Sequence, residues 1–554
     1  MEISYKIDGK VFRTECTNDH IKVEDANRSG HRTVVVTAVC DLELLDAEIS
    51  IEHAYHLDDL VMVNGYQSWT ETREFLQGEY LTNLRKRPKM ITDKYHFKEY
   101  GSQAFWNMPA GQHLGFDYAY ISGQEPLFIG SFNYKNAYLL IWFDEKAEKI
   151  RLQSDCEGRT LLAGESFHLF DYVIDEYGDD YFASFTPVSD KKIFGYTSWY
   201  KHYQNINNEV LEASLEKIDP RMQLFQIDDG YETAIGDWMD IDKEKFPDGL
   251  SPIVGKIHQK GLMAGIWLAP FLCEEDSKIM RKYPDWIAKD EKGEKIYAGC
   301  NWSGDCPLDL NNPEVVEYIR KVLRYFDSLG FDFFKFDFLY AVNLNRLKGK
   351  TRSETAEFAY GLLREELPGK LLLGSGATLS NCFGRFDYVR IGPDISLTFD
   401  DLPYMRFFHP ERVSTRVTLL NTIFRSGMNR RMFLNDPDVF LLRDEDMKMT
   451  FSQRTALTNI NALFGSLLLT SDDVSSYDEK KKAVLEKALV LFEKAKVLSY
   501  KRMDQLICIE YEVSGETKTV YYDTYRGVLK DRASAFSLDN SVIKELVSHR
   551  KGKD

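Results

Sequence analysis

The chain is poor in cysteine, and the few it has do not form a pattern. Eight cysteines are scattered over 554 residues. Cys300 and Cys306 lie close together, but no second pair follows at zinc-ligand spacing. That argues against a structural zinc site and against a disulfide framework. Free thiols in a reducing compartment are expected. Basic charge is also in deficit, with 70 Lys and Arg against 87 Asp and Glu and a net charge of −17. Nucleic acid and an anionic membrane surface are therefore poor candidates for partners. No apolar run reaches the length of a membrane span, and the start, Met1 to Gly9, has no apolar signal core. A cytoplasmic location is expected. Internal repeats and low-complexity linkers are missing too.

What the chain does have is aromatic rings, 13% of its residues, including 31 Tyr and 8 Trp. Large cores account for many of these, but flat amphipathic rings also suit the C–H face of a sugar. Residues 1–187 read as all-β. His31 to His53 is rich in Val and Ile and alternates from Glu43 to Ile51, as half-buried strands do. A β-sandwich is expected there. From 188 to 478 short apolar runs alternate with amphipathic helices. Asn312-Pro313 is an N-cap with proline at N1, and Gly330 is the matching stop. Candidate strands fall near 193–198, 223–228, 262–268, 333–337, 371–375, 388–391, 431–435 and 465–470. Eight such strands suit a (β/α)8 TIM barrel. A doubly wound sheet is the runner-up, but no glycine-rich phosphate loop follows an early strand. Residues 479–554 read as a Lys-rich helix, Glu479 to Ser499, and a small β domain around the turn Val513-Ser514-Gly515-Glu516. The fold class is thus α/β plus β: a central TIM barrel, an N-terminal β-sandwich and a small C-terminal β domain.

Two aspartates end strand-like runs. Phe333-Phe334-Lys335-Phe336-Asp337 is the first, and Tyr388 to Asp394 is the second. Lys335 and Asp337 share one strand face, and Phe334 and Phe336 share the other. Charged groups on a buried strand end are costly unless something requires them. Two carboxyls facing each other across a pocket make the pair that cleaves glycosidic bonds. Other expected strand ends are polar as well: Ser198-Trp199-Tyr200, Asp228-Asp229-Gly230, Trp267, Gly374-Ser375-Gly376, Arg390, and Asn435-Asp436-Pro437-Asp438. Active sites in this barrel lie at those ends. Any single Asp after a strand can be a helix cap, and Asp436 and Asp438 are read that way.

Several motifs resemble glycoside hydrolase family 36, the α-galactosidases and their relatives. They are Asn64-Gly65-Tyr66-Gln67-Ser68-Trp69, Phe225 to Tyr231, Gly236-Asp237-Trp238, Gly265 to Pro270, Phe334 to Phe338, Arg390 to Asp394, and Leu434 to Asp438. The resemblance runs through most of the chain and is closest to the compact bacterial enzymes. It implies Asp337 as nucleophile and Asp394 as acid/base. It implies Asp228 and Asp229 on the axial 4-OH and the 6-OH of galactose, Lys335 near positions 3 and 4, and Arg390 toward the 2-OH side. Trp199, Trp267 and the loop aromatic Tyr66 would form walls. The substrate implied is a small α-galactoside of the melibiose or raffinose type, with no cofactor, no metal, no nucleic-acid or membrane partner, and possible homo-oligomers.

Two departures from the family pattern stand out. Tyr66 replaces a common Trp, and Ser375 lies where relatives often have Cys near the sugar C2 side. An α-N-acetylgalactosaminide therefore stays open as substrate. A magnesium barrel enzyme using Asp228, Asp337 and Asp394 as ligands is a rival. Lys335 and Arg390 beside the metal argue against it. A non-catalytic sugar-binding protein is a third reading.

Overall fold

The computed structural model describes residues 1–79, 111–400 and 414–531. The parts of the expected sandwich at 80–110 and of the expected C-terminal β region beyond 531 lie outside the described residues.

Among the described residues, those up to 175 form two seven-stranded antiparallel sheets. One is built around Leu42–Glu52, paired with Glu2–Ile7 and Lys149–Ser154. The other is built around His31–Ala38, paired with Ile21–Arg28 and Ser166–Asp175. Ile49, Ile141 and Leu152 of the first sheet share a core with Val34, Val36, Ile129 and Phe167 of the second. Alternation in Leu42–Glu52 buries Leu44, Ala47 and Ile49. The phase slips at Leu45, where the pairing jumps from Tyr5↔Leu44 to Ser4↔Asp46. A one-residue bulge does this, and it re-aims every later side chain.

A parallel sheet follows. Its strands are β1 (Ile193–Thr197), β2 (Leu224–Ile227), β3 (Met263–Leu268), β4 (Phe333–Phe336), β5 (Leu371–Gly374), β6 (Tyr388–Arg390), β7 (Leu434–Asp436) and β8 (Leu467–Thr470). Each neighbouring pair is parallel from β1 through β7, and β8 pairs with β1. A short piece just past β7, Val439–Phe440, pairs with β8. The two edges of the sheet are therefore one stretch of chain, and the sheet curls shut as a TIM-like barrel. The helix Pro313–Ser328 starts as expected: Asn312 Oδ1 accepts from Glu314 N at 2.9 Å with proline at N1. The helix Arg352–Glu366 opens with a Thr351/Glu354 capping box.

The expected helix from Glu479 to Ser499 ends earlier, at Lys494. Lys496–Met503 is instead a strand paired with Leu506–Val513. Cross-strand pairing of Val497 and Tyr500 with Tyr511 and Ile509 overrides the helical propensity of that stretch. The hairpin at Ser514-Gly515 forms as expected, both residues at positive φ (54° and 81°). Four antiparallel strands make this last sheet.

Candidate active site

Charged side chains converge at the C-terminal end of the parallel sheet. Asp337 follows β4 directly. Its two oxygens accept from Trp267 Nε1 at 3.1 Å and from its neighbour's amide, Phe338 N, at 2.9 Å. Two N–H donors fix the orientation of that carboxyl. Lys335, on the same strand face, reaches Asp228 Oδ2 at 3.0 Å. Burial works against the ammonium, but Asp228, and then Asp337 and Asp394, outweigh it and raise its pKa. Lys335 is thus a fixed positive charge among carboxylates.

Asp228 and Asp229 stand side by side past β2. Asp228 also accepts from Gln226 Nε2 at 2.6 Å, and its amide donates to Ser198 Oγ. Asp229 Oδ2 accepts from Gln204 Nε2 at 2.9 Å and Trp302 Nε1 at 3.0 Å. Glycine is required at 230, where φ is +118° and a Cβ would come 2.7 Å from the Gln204 backbone. That close approach brings Gln204 onto Asp229. Glu232 is buried beside the pair. Burial, and then the charge of Asp229 to which it is hydrogen-bonded, push its carboxyl well above the usual range.

Asp394 lies four residues past β6 and contacts Arg390 Nη1 through Oδ1 at 2.9 Å. Burial first, then the negative charge of Asp438, push its carboxyl from 3.8 up to about 7, against the pull of Arg390 and Lys335. Its side chain keeps about 39% exposure, so it is accessible while lacking full hydration. Arg390 is 2% exposed and is held three ways: Asp394, Asp436 Oδ2 at 2.7 Å and Asp438 Oδ1 at 2.9 Å. Tyr200 donates its hydroxyl to the other oxygen of Asp438, and Ile395 N donates there at 2.8 Å.

Asp337, Asp394, Asp228, Asp229, Lys335, Arg390 and Trp267 are thus brought into one linked cluster. The other candidates are not. Tyr66 is buried against Phe116 and Tyr138, and its hydroxyl accepts from Asn343 Nδ2 at 3.0 Å. Trp69 of the same loop lies with its ring 5.1 Å from the Phe338 ring. Trp199 is half-buried with its ring 5.2 Å from Tyr203, while the next residue, Tyr200, reaches the carboxylates. Ser375 is 1% exposed, and its Oγ has no hydrogen-bond partner among the described residues.

Sequence reasoning missed Asp436, Asp438, Gln204 and Trp302. The first two were visible as a polar strand end, and their reading as helix caps is corrected by Arg390. Asp438 carries a φ of +70°, a conformation Asp tolerates better than most residues. That turn ends β7 and points both carboxyls at the guanidinium. Gln204 and Trp302 sit in loops, where no local signal marks them.

A curled parallel sheet with carboxyls gathered at its C-terminal end places this chain among TIM-like domains whose site lies at that end. Comparison with known proteins shows what the chain is similar to. Residues 189–364 match the Melibiase family model. An α-galactosidase of Escherichia coli is 31% identical over 151 residues, 25% of this chain and 20% of that protein. An α-galactosidase of Pediococcus pentosaceus is 37% identical over 98 residues, 16% of this chain and 13% of its own. The chain thus spans a fifth or less of the length of these curated relatives. The solved α-galactosidase TtGalA of Thermus thermophilus, complexed with p-nitrophenyl α-D-galactopyranoside, superimposes with a TM-score of 0.70 at 23% identity. That match covers 90% of this chain and 98% of the other. The α-galactosidase AgaA of Geobacillus stearothermophilus, of family GH36, gives 0.61 at 13% identity, covering 96% and 82%. The two structural matches show the fold. The family model matches about a third of the chain, and the curated relatives match it over a quarter or less. No helix among the described residues is long and apolar enough to cross a membrane.

Proposed function

We propose that this protein is a retaining α-galactosidase acting on small oligosaccharides, with Asp337 as nucleophile and Asp394 as acid/base. The observation that carries this reading is the inequality of the two carboxyls. Asp337 is held by two N–H donors and faces Lys335. Asp394 has its pKa lifted to about 7 by burial and Asp438. One is fixed in orientation for attack, and the other can hold a proton near neutral pH. Asp337 Oδ attacks the anomeric carbon, the glycosidic C–O bond breaks, and Asp394 gives its proton to the leaving oxygen. Water then attacks the glycosyl ester, Asp394 takes a proton from it, and the ester bond to Asp337 opens. Asp228, Asp229 and Lys335 hold sugar hydroxyls, and Arg390 orients Asp394. Raffinose and stachyose are bound by the related structures AgaA and TtGalA, and raffinose-type substrates are proposed here. The division at 187 and 478 into sandwich, barrel and C-terminal region belongs to the same reading.

The test is initial rate on p-nitrophenyl α-galactoside beside the α-N-acetylgalactosaminide, with chelator present. Release from the galactoside, reduced about 10³-fold or more in Asp337→Ala, is expected for loss of a nucleophile. Azide should restore part of that variant's turnover. Full activity in Asp337→Ala overturns the assignment. Release from the acetamido sugar alone moves the specificity and keeps the mechanism.

A further inference from the structure

Trp302 lies outside every family motif quoted above, and the proposed chemistry leaves it without a role. It stands at the tip of the turn closed by the bridge Gly299↔Asp305, just before the strand Asp305–Pro307 that pairs with Leu272–Glu274. The base of that tip is pinned. Asn301 N and Nδ2 donate to the two oxygens of Asp305 at 2.7 and 3.1 Å. Gly304 N donates to Asn301 O at 2.8 Å, and Ser303 Oγ donates to Glu274 Oε2 at 2.8 Å.

On this fixed base Trp302 adopts a φ of +48°. The ring beside it, Phe338 at 5.1 Å, adopts +55°. A bulky residue at positive φ is a true outlier, and two in contact mean that the surroundings force both rings into place. Such strain gathers at ligand clamps. The Trp302 ring also lies 6.1 Å from Trp267, whose N–H binds Asp337. Its own N–H binds Asp229. One half-buried indole therefore spans from the flank of Asp337 to Asp229. A sugar that reaches both carboxylates must pass along it.

The geometry points to Trp302 as a substrate-contacting specificity residue. Its ring face forms a wall for the apolar face of the sugar, and its N–H fixes the carboxylate that receives a sugar hydroxyl. This rests on the α-galactosidase reading, and the experiment separates the two. Wild-type protein, Trp302→Phe and Trp302→Ala are assayed on p-nitrophenyl α-galactoside and titrated with galactose, with tryptophan fluorescence followed. Loss of an aromatic face should raise KM about tenfold in Trp302→Ala. Because Asp337 and Asp394 are untouched, kcat should change less than about threefold. Trp302→Phe keeps a ring and loses the N–H, so its KM should lie between. The galactose-induced fluorescence change should shrink or vanish in Trp302→Phe, whose fold is the safer of the two. Wild-type turnover with unchanged KM and an unchanged fluorescence response in both variants overturns the role of Trp302 alone. Wild-type protein that neither cleaves the galactoside nor binds galactose overturns both readings.

Discussion

Asp394 owes its raised pKa first to burial and then to Asp438, a neighbour that the sequence disguises as a helix cap. Asp436, Asp438 and Asp394 share one buried guanidinium. One cation cannot balance three anions, and burial together with the charge of Asp438 raises the Asp394 carboxyl to about 7. Replacing Asp438 by Asn tests this. The variant removes a like charge beside Asp394 and leaves Arg390 to lean more on Asp394. Both effects lower the Asp394 pKa. The alkaline limb of kcat/KM, which reports the acid of the free enzyme, should then move to lower pH. A limb that stays in place, or moves up, would show that burial alone sets the proton. The stability sign follows the same logic. A carboxyl raised to about 7 in the folded state contributes stability below its unfolded pKa of about 3.9. That contribution is lost as pH rises through about 7.

The loop from Asn64 to Thr72 and the end of β5 show how separate elements meet at the mouth. Gly376 has a φ of +60°, and a Cβ there would lie 3.0 Å from Trp69 Cζ2 and 3.2 Å from Phe338 Cα. Gly376→Ala therefore combines backbone strain with a clash, and a loss of about 1–3 kcal/mol is expected. Chemical denaturation of the variant measures it. Trp69 and Phe338 would also be pushed, so KM should rise with the loss of stability. Unchanged stability would mean the loop is not seated there. Such seating is not written in local patterns. The strand positions are readable because apolar runs of four to six residues end in polar ones, and β1 to β6 and β8 fall within the expected ranges. The seventh runs later than expected, 434–436 rather than 431–435. Just before it, Asn429 and Phe433 form an isolated bridge with each other instead. Asp337, Lys335 and Arg390 are readable because strand geometry fixes their direction. Trp302 and Gln204 are not, because a loop side chain's aim depends on contacts far away in sequence.

A buried arginine is one of the links between the N-terminal sheets and the parallel sheet. Arg425, fully buried in the turn after the helix Thr415–Phe424, donates to Asn64 Oδ1 at 2.9 Å, Ser68 O at 2.6 Å and Gln67 O at 3.1 Å. The same guanidinium donates to Ile391 O at 2.8 Å, one residue beyond Arg390. Asn421 adds to the seat by accepting from Thr72 N at 2.8 Å and donating to Thr70 O at 2.9 Å. The N-terminal loop and the backbone that carries Arg390 and Asp394 thus hang on one cation. Arg425→Met keeps much of the side-chain volume and removes every one of those donors. The stranded carbonyls and lost charge-assisted bonds should cost about 3–5 kcal/mol. In a chain of this size that is a fall of several degrees in melting temperature. The informative readout is kcat, because Arg425 touches neither Asp337 nor Asp394. If the guanidinium holds the Ile391 carbonyl in place for catalysis, kcat falls at temperatures where the variant is still folded, and the alkaline limb shifts as Arg390 moves. If the melting temperature drops while kcat and the pH profile stay unchanged, the sandwich supports the barrel and does not set its chemistry.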